Sequence, residues 1–186
     1  MSKSKKLRVG VIGAGWVASA RHIPALCRDP RVEVVAIMDS DIRRAAEVGR
    51  KFKLPCAYDR TDMLFRANLD MVSICTSPWS HADYAIQALS HGCHVLTEKP
   101  MAMSVQEAEE MIACAKTNQR MLTVSHNFQF ARSMRLALNL LHNGAIGRVQ
   151  HIMALQLSSP KRRLPTWCAR LPGGLYYDES PHMLYL

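Results

Sequence analysis

The most constraining stretch of the chain runs from Leu7 to Ala18. It begins as a short apolar run rich in valine and isoleucine, which is typical of a buried parallel strand, and ends in a G-x-G-x-x-A turn. Gly13 permits the tight bend, and Gly15 leaves room for a pyrophosphate to approach the backbone. The next helix points unpaired N–H groups at the bound anion. The candidate phosphate-binding residues are Gly13, Ala14, Gly15, Trp16 and Val17.

A second apolar strand, Val32–Met38, ends at Asp39, 21 residues after the glycine turn. A dinucleotide fold places there the acid that accepts hydrogen bonds from the adenosine ribose hydroxyls. The alternative is that Asp39 only caps the next helix, a role that Asp41 could take instead. Because Asp39 would repel a 2′-phosphate, NAD is favoured as the cofactor. NADP stays possible because Arg43 and Arg44, the latter a candidate cofactor contact, lie near the ribose end.

The N-terminus offers a competing interpretation. Several lysines precede an apolar run that closes on Ala18-Ser19-Ala20, so the segment imitates a secretory signal with its cleavage site. Three glycines in twelve residues and the spacing to Asp39 favour a strand and turn instead. Six cysteines without C-x-x-C spacing indicate reduced thiols and a cytoplasmic protein.

Composition narrows the function class. With 48% hydrophobic and 21% charged residues, the chain is typical of a globular protein, and no apolar run reaches membrane-spanning length. The net charge of +9 would be compatible with a nucleic-acid partner. The basic residues are scattered, however, apart from the cluster Lys161-Arg162-Arg163, and no aromatic platform accompanies them. We therefore expect neither a nucleic-acid nor a membrane partner.

Strands and helices alternate along the first two thirds of the chain. Further short apolar runs predict strands over 71–75, 94–97 and 121–124, and helical periodicity predicts the intervening helices. Pro24 should interrupt the first helix, and Ser104-x-x-Glu107 is a capping box. This alternation predicts an α/β fold with a doubly wound parallel (Rossmann) sheet, in a dinucleotide-binding domain over residues 1–126.

The character of the chain changes after Ser125. A helix is predicted over 132–142, and Arg148 to Ser158 alternates apolar and polar residues like a strand with one covered face. The sequence stops in an apolar stretch without a cap. We therefore expect residues 127–186 to be the truncated start of an α+β second domain for substrate binding and oligomerisation.

These motifs together resemble the Gfo/Idh/MocA family, named for glucose–fructose oxidoreductase and inositol dehydrogenase. The resemblance covers essentially the whole chain and rests on the order of the motifs, each of which is common alone. They are the glycine turn with Asp39, Ser77-Pro78 with His81, Glu98-Lys99-Pro100, His126-Asn127-Phe128-Gln129-Phe130, Gly144-Ala145-Ile146-Gly147, and Gly173-Gly174 followed by Asp178-x-x-x-His182.

The resemblance implies a two-domain oxidoreductase that transfers a hydride between a nicotinamide cofactor and a sugar, cyclitol or related polyol. It also implies that Lys99, Asp178 and His182 meet at the nicotinamide, and that the full-length form is a homo-oligomer. Histidine suits the proton transfer at oxygen, so His182 is the candidate acid/base, and Lys99 would stabilise alkoxide charge. The further candidate cofactor contacts are Ser77, Pro78, His81, Glu98, Lys99 and Asn127.

Two departures and two alternatives accompany this interpretation. Ser180-Pro181 stands where the family usually has a glycine, and His126 and Gln129 replace a common tyrosine and arginine. One alternative is an enzyme that oxidises its substrate transiently, like NAD-dependent glycoside hydrolases. The other is a nucleotide-binding protein without catalytic activity. No metal site is expected, because no histidine has a companion ligand at metal spacing.

Overall fold

A computed structural model describes residues 5–157 and 164–185. Ser158 and the cluster Lys161-Arg162-Arg163 lie outside the described residues. The chain divides into two compact units, the first ending at Ser125 and the second beginning at His126. Each unit is described by itself below.

The first unit is built on one sheet of six parallel strands, in the order β3-β2-β1-β4-β5-β6. The order reverses between β1 and β4, where the chain crosses to the other half of the sheet. In such sheets ligands bind at this switch point, outside the carboxyl ends of the strands. The strands are β1 Leu7–Ile12, β2 Val32–Met38, β3 Cys56–Tyr58, β4 Met71–Ile74, β5 His94–Thr97 and β6 Leu122–Val124.

Five of these strands confirm the predicted ones, whereas β3 was not predicted. It has only three residues, too few for an apolar run or an alternation that would distinguish a strand from a loop. It pairs in parallel with β2, from Ala36 to Met38, and its side chains pack against the apolar clusters of the two sheet faces. The parallel doubly wound sheet itself is as predicted.

Helices cover both faces of the sheet. The first helical segment and α2 cover one face, while α3, α4 and α5 cover the other, and each face buries its own apolar cluster. Because the central strands are buried on both sides, nearly all of their residues are apolar. The helices are α1 Ile23–Arg28, α2 Ile42–Phe52, α3 Thr61–Phe65, α4 His81–Ser90 and α5 Val105–Thr117.

The helix ends follow the local chemistry of the sequence. Asp41 caps α2 by accepting a hydrogen bond from the Arg43 amide, and Ser104 caps α5 by accepting one from the Glu107 amide. A π-helical turn, Ala18–His22, precedes α1, which begins just before Pro24. Proline lacks an N–H donor, so the helix widens by one residue there. The predicted interruption is therefore a π-bulge.

The second unit contains short helices separated by irregular chain. They are two 3-10 turns, Asn127–Phe130 and Thr166–Arg170, and two α-helices, α6 Arg132–His142 and α7 Leu175–Leu184. The range of α6 is as predicted. The strand predicted from Arg148 is wrong for the residues described, because 148–157 form neither helix nor strand. A strand needs a hydrogen-bonded neighbour, and its apolar residues, among them Met153 and Leu155, stay exposed.

Among the described residues, no helix combines the length and the apolar composition that crossing a membrane requires.

Candidate functional site

The glycine turn has the geometry that a phosphate site needs. Gly13 has a positive φ of 96°, and a Cβ atom there would lie 2.9 Å from the Cys75 carbonyl, so only glycine fits. A Cβ on Gly15 would meet nothing within 4 Å, so the backbone stays open to a ligand. Ala18 is fully buried, which lets the helix approach the strand. Trp16 is exposed at the start of the helix, and the Arg21 guanidinium lies over its ring at 5.4 Å.

Asp39 is fixed at the edge of this turn. One carboxylate oxygen accepts a hydrogen bond from the Ala14 amide at 2.8 Å, and the other accepts from the Asp41 amide at 3.0 Å. Since Asp41 caps α2, the alternative that Asp39 is only a helix cap is wrong. A carboxylate oxygen can accept two hydrogen bonds, so each oxygen of Asp39 keeps capacity for a ribose hydroxyl. Arg44 is exposed and lies 3.8 Å from the Asp41 carboxylate.

The turn after β4 carries the next group of predicted residues. Ser77 is half-buried and begins a 3-10 turn, with Pro78 buried as its first residue. His81 has no exposed surface, and its ring nitrogens face the carbonyl oxygens of Thr76 and Pro100 at 3.1 and 2.8 Å. Burial lowers the pKa of His81, despite these hydrogen bonds. His81 therefore supports two turns, and its contact with the cofactor stays a prediction.

Lys99 lies at the carboxyl edge of the sheet, immediately after β5 and Glu98. The Lys99-Pro100 peptide bond is cis, and Lys99 is half-buried. Glu98 accepts a hydrogen bond from the Lys99 amide at 3.3 Å through Oε2. Its other oxygen, Oε1, lies 2.7 Å from Nε2 of His22. The turn that presents Lys99 is thus held by a carboxylate that is itself paired.

His22 is the residue that sequence reasoning missed. Its side chain is 9% exposed and its Nδ1 lies 2.9 Å from the Ser73 hydroxyl. Burial alone would lower the pKa of His22, but hydrogen bonds to Cys75 and Glu98 outweigh it and raise the pKa to about 10. The same pairing holds the pKa of Glu98 below its usual value, against the effect of burial. The sequence feature that could have indicated His22 is its position one turn after Ala18, which places a polar residue on the buried side of the helix.

The order of serine, histidine and carboxylate in this cluster is that of a hydrolase triad. Ser73, however, has no exposed surface and lies within β4. No substrate can reach its hydroxyl in this structure, so the cluster is not a nucleophilic site. Within residues 5–157 and 164–185, no three histidine, cysteine or acidic side chains are grouped to hold a metal ion.

The second unit carries the other two candidate catalytic residues, one turn apart on α7. Asp178 is 5% exposed, and its Oδ2 accepts a hydrogen bond from the Cys168 thiol at 3.9 Å. His182 is half-buried and stacks on Phe128, with ring centroids 4.3 Å apart. Helix α7 continues through Pro181, so the departure from the family pattern leaves Asp178 and His182 on the same helix. Asn127 is exposed in the 3-10 turn Asn127–Phe130, near the start of the second unit.

The structure thus brings the glycine turn, Asp39, Ser77 and Lys99 to one edge of one sheet, in a single unit. The residues fit a dinucleotide: Gly15 would border the pyrophosphate, Asp39 the ribose, and the turns after β4 and β5 the nicotinamide. Lys99 belongs to the first unit and Asp178 and His182 to the second, so their meeting stays a prediction.

Comparison with known proteins bears directly on this edge of the sheet. A family model described as "Oxidoreductase family, NAD-binding Rossmann fold" (GFO_IDH_MocA) matches residues 7–126, which include the whole parallel sheet. The chain belongs to the Gfo/Idh/MocA oxidoreductase family. Residues 7–126 therefore form the NAD-binding Rossmann domain of that family.

Two curated relatives of this family member have different activities. D-glucoside 3-dehydrogenase of Escherichia coli (strain K12) is 33% identical over 187 residues, covering 97% of the chain and 53% of the relative. Alpha-N-acetylgalactosaminidase of Shewanella oneidensis is 31% identical over 160 residues, covering 80% of the chain and 34% of the relative. The chain spans about half the length of the first of these relatives and a third of the second.

Two solved structures agree with the fold. KijD10, a 3-ketoreductase from Actinomadura kijaniata in complex with NADP, has a TM-score of 0.71 at 31% identity, over 77% of this chain and 46% of that one. An oxidoreductase from Agrobacterium radiobacter in complex with NAD+, L-tartaric acid and magnesium has a TM-score of 0.74 at 28% identity, over 77% and 42%. One of these two similar structures thus holds NADP and the other NAD+.

Proposed function

We propose that this protein is part of an NAD-dependent oxidoreductase that acts on a sugar, cyclitol or related polyol. The observation that carries the proposal is the open backbone at Gly15 next to the anchored carboxylate of Asp39, on the edge of the sheet that also presents Lys99. A nicotinamide cofactor bound there would accept or supply the hydride. The similarity to a D-glucoside dehydrogenase supports the substrate class.

The proposed chemistry divides between three side chains. His182 takes the hydroxyl proton as the substrate carbon is oxidised, and returns it in the reverse direction, since histidine titrates near neutral pH. The Lys99 ammonium holds the same oxygen and stabilises its developing negative charge. Asp178 orients His182 from one helical turn away or binds a further substrate hydroxyl.

NAD is the proposed cofactor because the Asp39 carboxylate would lie beside the adenosine ribose, where a 2′-phosphate would be repelled. Arg43 and Arg44 are both close to the Asp41 carboxylate, whose negative charge weakens their attraction for a phosphate. Titration with NADH and NADPH, followed by cofactor fluorescence, tests the preference. Tighter binding of NADPH would contradict it. Asp39→Asn, which keeps an acceptor for the Ala14 amide, should narrow the difference between the two cofactors.

Turnover tests the catalytic residues. The chain is assayed for NADH formation at 340 nm with methyl β-D-glucoside and myo-inositol, and NADH binding is titrated in parallel. Lys99→Met and His182→Ala should each lower turnover by about 10²-fold or more while NADH affinity changes less than about threefold. Full activity in both variants would contradict the assignment.

A second candidate is a glycosidase that oxidises its substrate transiently, since the Shewanella relative is an alpha-N-acetylgalactosaminidase. The same cofactor site would serve it, but NAD would be regenerated in each cycle. Release of p-nitrophenol from p-nitrophenyl α-N-acetylgalactosaminide without accumulation of NADH would favour this candidate. Accumulation of NADH with a polyol favours the dehydrogenase.

A further inference from the structure

We propose that His22 and Glu98 form a positioning pair for Lys99, which joins the helix behind the glycine turn to the turn that carries this lysine. The inference rests on the proposed function for the role of Lys99 in turnover. The geometry of the pair itself is independent of that role.

Three bonds converge on the Glu98 carboxylate. His22 lies 2.7 Å from Oε1, the Lys99 amide donates to Oε2 at 3.3 Å, and the Ser125 hydroxyl also bonds this side chain. A carboxylate held from one side by a histidine has a fixed plane. Its second oxygen therefore has a fixed direction toward the Lys99 backbone.

The histidine is fixed in turn by its own surroundings. His22 Nδ1 lies 2.9 Å from the hydroxyl of Ser73, a residue in the fully buried centre of β4. With both ring nitrogens engaged, the imidazole cannot rotate without losing a hydrogen bond. The position of the Lys99 backbone is thus tied, through Glu98 and His22, to the centre of the sheet.

Stability alone is a weak explanation for such a pair. The side chains of His22 and Glu98 are 9% and 19% exposed, so both charges are largely removed from water. Replacing a buried ion pair with apolar residues of similar size is often neutral or stabilising. A polar arrangement at this place is instead what orienting a neighbouring group requires, because hydrogen bonds have direction and apolar contacts do not.

The decisive variant removes both partners together. His22→Leu/Glu98→Leu buries no unpaired charge, so a folded chain with a melting temperature near that of the wild type is expected. The Lys99 amide loses its acceptor, so its hydrogen exchange, measured by NMR on the chain without cofactor, should quicken by about tenfold or more. Amides in β1 should be unaffected. The exchange readout requires no activity.

Turnover provides the second readout. In the double variant, kcat with NAD and the better of methyl β-D-glucoside and myo-inositol should fall by about 10²-fold, because a misplaced lysine stabilises the alkoxide poorly. KM for NAD should change by a smaller factor than kcat, because the pair acts on the position of Lys99. The single variant Glu98→Asp keeps the carboxylate charge but shortens its reach to the Lys99 amide. Its kcat should therefore lie between those of the double variant and the wild type.

Glu33→Gln is the matched control. It removes a carboxylate charge, as the Glu98→Leu change in the double variant does, but from an exposed pair 3.8 Å from Arg8 at the opposite end of the sheet, and it should alter neither readout. Unchanged Lys99 exchange in the double leucine variant, or an equal change in the control, would overturn the proposal. If the wild type oxidises neither polyol, the proposed function fails, while the exchange result still decides whether the pair positions Lys99.

Discussion

The two units of the chain differ in what their apolar side chains contact. In the first unit, each strand of the sheet is covered by helices, and residues such as Val9, Ile74 and Leu89 have no exposed surface. In the second unit, helix α6 exposes Leu136, Leu138 and Leu140. Among the described residues of that unit, the buried apolar ones are Cys168 and Leu171. Apolar side chains thus form a core in the first unit and remain exposed on α6 in the second.

The difference shows that an apolar pattern can predict the type and range of a helix or strand. Whether its apolar side chains are buried depends on a second element that packs against them. Helix α6 has the predicted range although its apolar face is exposed. The segment 148–157 has strand periodicity and forms no strand. A helix satisfies its own backbone, whereas a strand depends on a neighbour, so only the strand prediction fails without one.

The largest effect of a substitution on stability should come from the buried charge pair of the first unit. His22→Asn removes the charged partner of the largely buried Glu98 carboxylate and should lower the free energy of unfolding by about 3 to 5 kcal/mol at pH 6. Urea unfolding followed by circular dichroism measures this loss. A loss below about 1 kcal/mol would mean that water solvates the pair, and the comparison between a buried and an exposed unit would weaken.

The pH dependence of this loss has a definite sign. The pKa of His22 is raised in the folded state, so its contribution is complete below the ordinary value of 6.5 and disappears as the pH rises toward about 10. Glu98 has a lowered pKa, so its contribution is present above 4.5 and declines at lower pH. The wild type and His22→Asn should therefore converge in stability between pH 6.5 and 10. Parallel curves over this range would contradict the pairing.

A leucine in each unit gives the next largest contrast. Leu89 in α4 is fully buried and Leu138 in α6 is 38% exposed. Leu89→Ala should cost about 2 to 5 kcal/mol through lost contacts and a residual cavity. Leu138→Ala should stay within about 0.5 kcal/mol, since surface positions tolerate alanine in a helix. Urea midpoints of the two variants measure the difference, and equal midpoints would contradict it.

Helix caps should give the smallest effects. Ser104→Ala removes the side chain that caps α5 and should cost about 1 kcal/mol. Helix α6 begins at Arg132, and its N-cap residue Ala131 provides no side-chain cap, so Ala131→Ser should slow hydrogen exchange in the first turn of α6 by a few-fold. If Ser104→Ala leaves exchange in α5 unchanged, the packing of that helix, and not its cap, fixes its start.

The sequence alone was sufficient to predict most of the fold of the first unit. Gly13 and Gly15 have local spacings that indicate their purpose, and Asp39 is found by its distance from them. His22 was missed, because its partners Ser73 and Glu98 are 51 and 76 residues away and meet it only in the folded sheet. The buried position of His81 was missed for the same reason. Its carbonyl partners include Pro100, 19 residues along the chain.

The central claim, that the glycine turn of the first unit holds a nicotinamide dinucleotide, is tested most directly by calorimetric titration of the chain with NAD. The wild type should bind one equivalent. Gly15→Val should weaken binding by about 10²-fold or more, because its side chain would fill the space of the pyrophosphate. Since a Cβ at Gly15 meets no atom within 4 Å, the variant's stability should remain near that of the wild type. Equal binding by a folded Gly15→Val, or none by the wild type, would contradict the account.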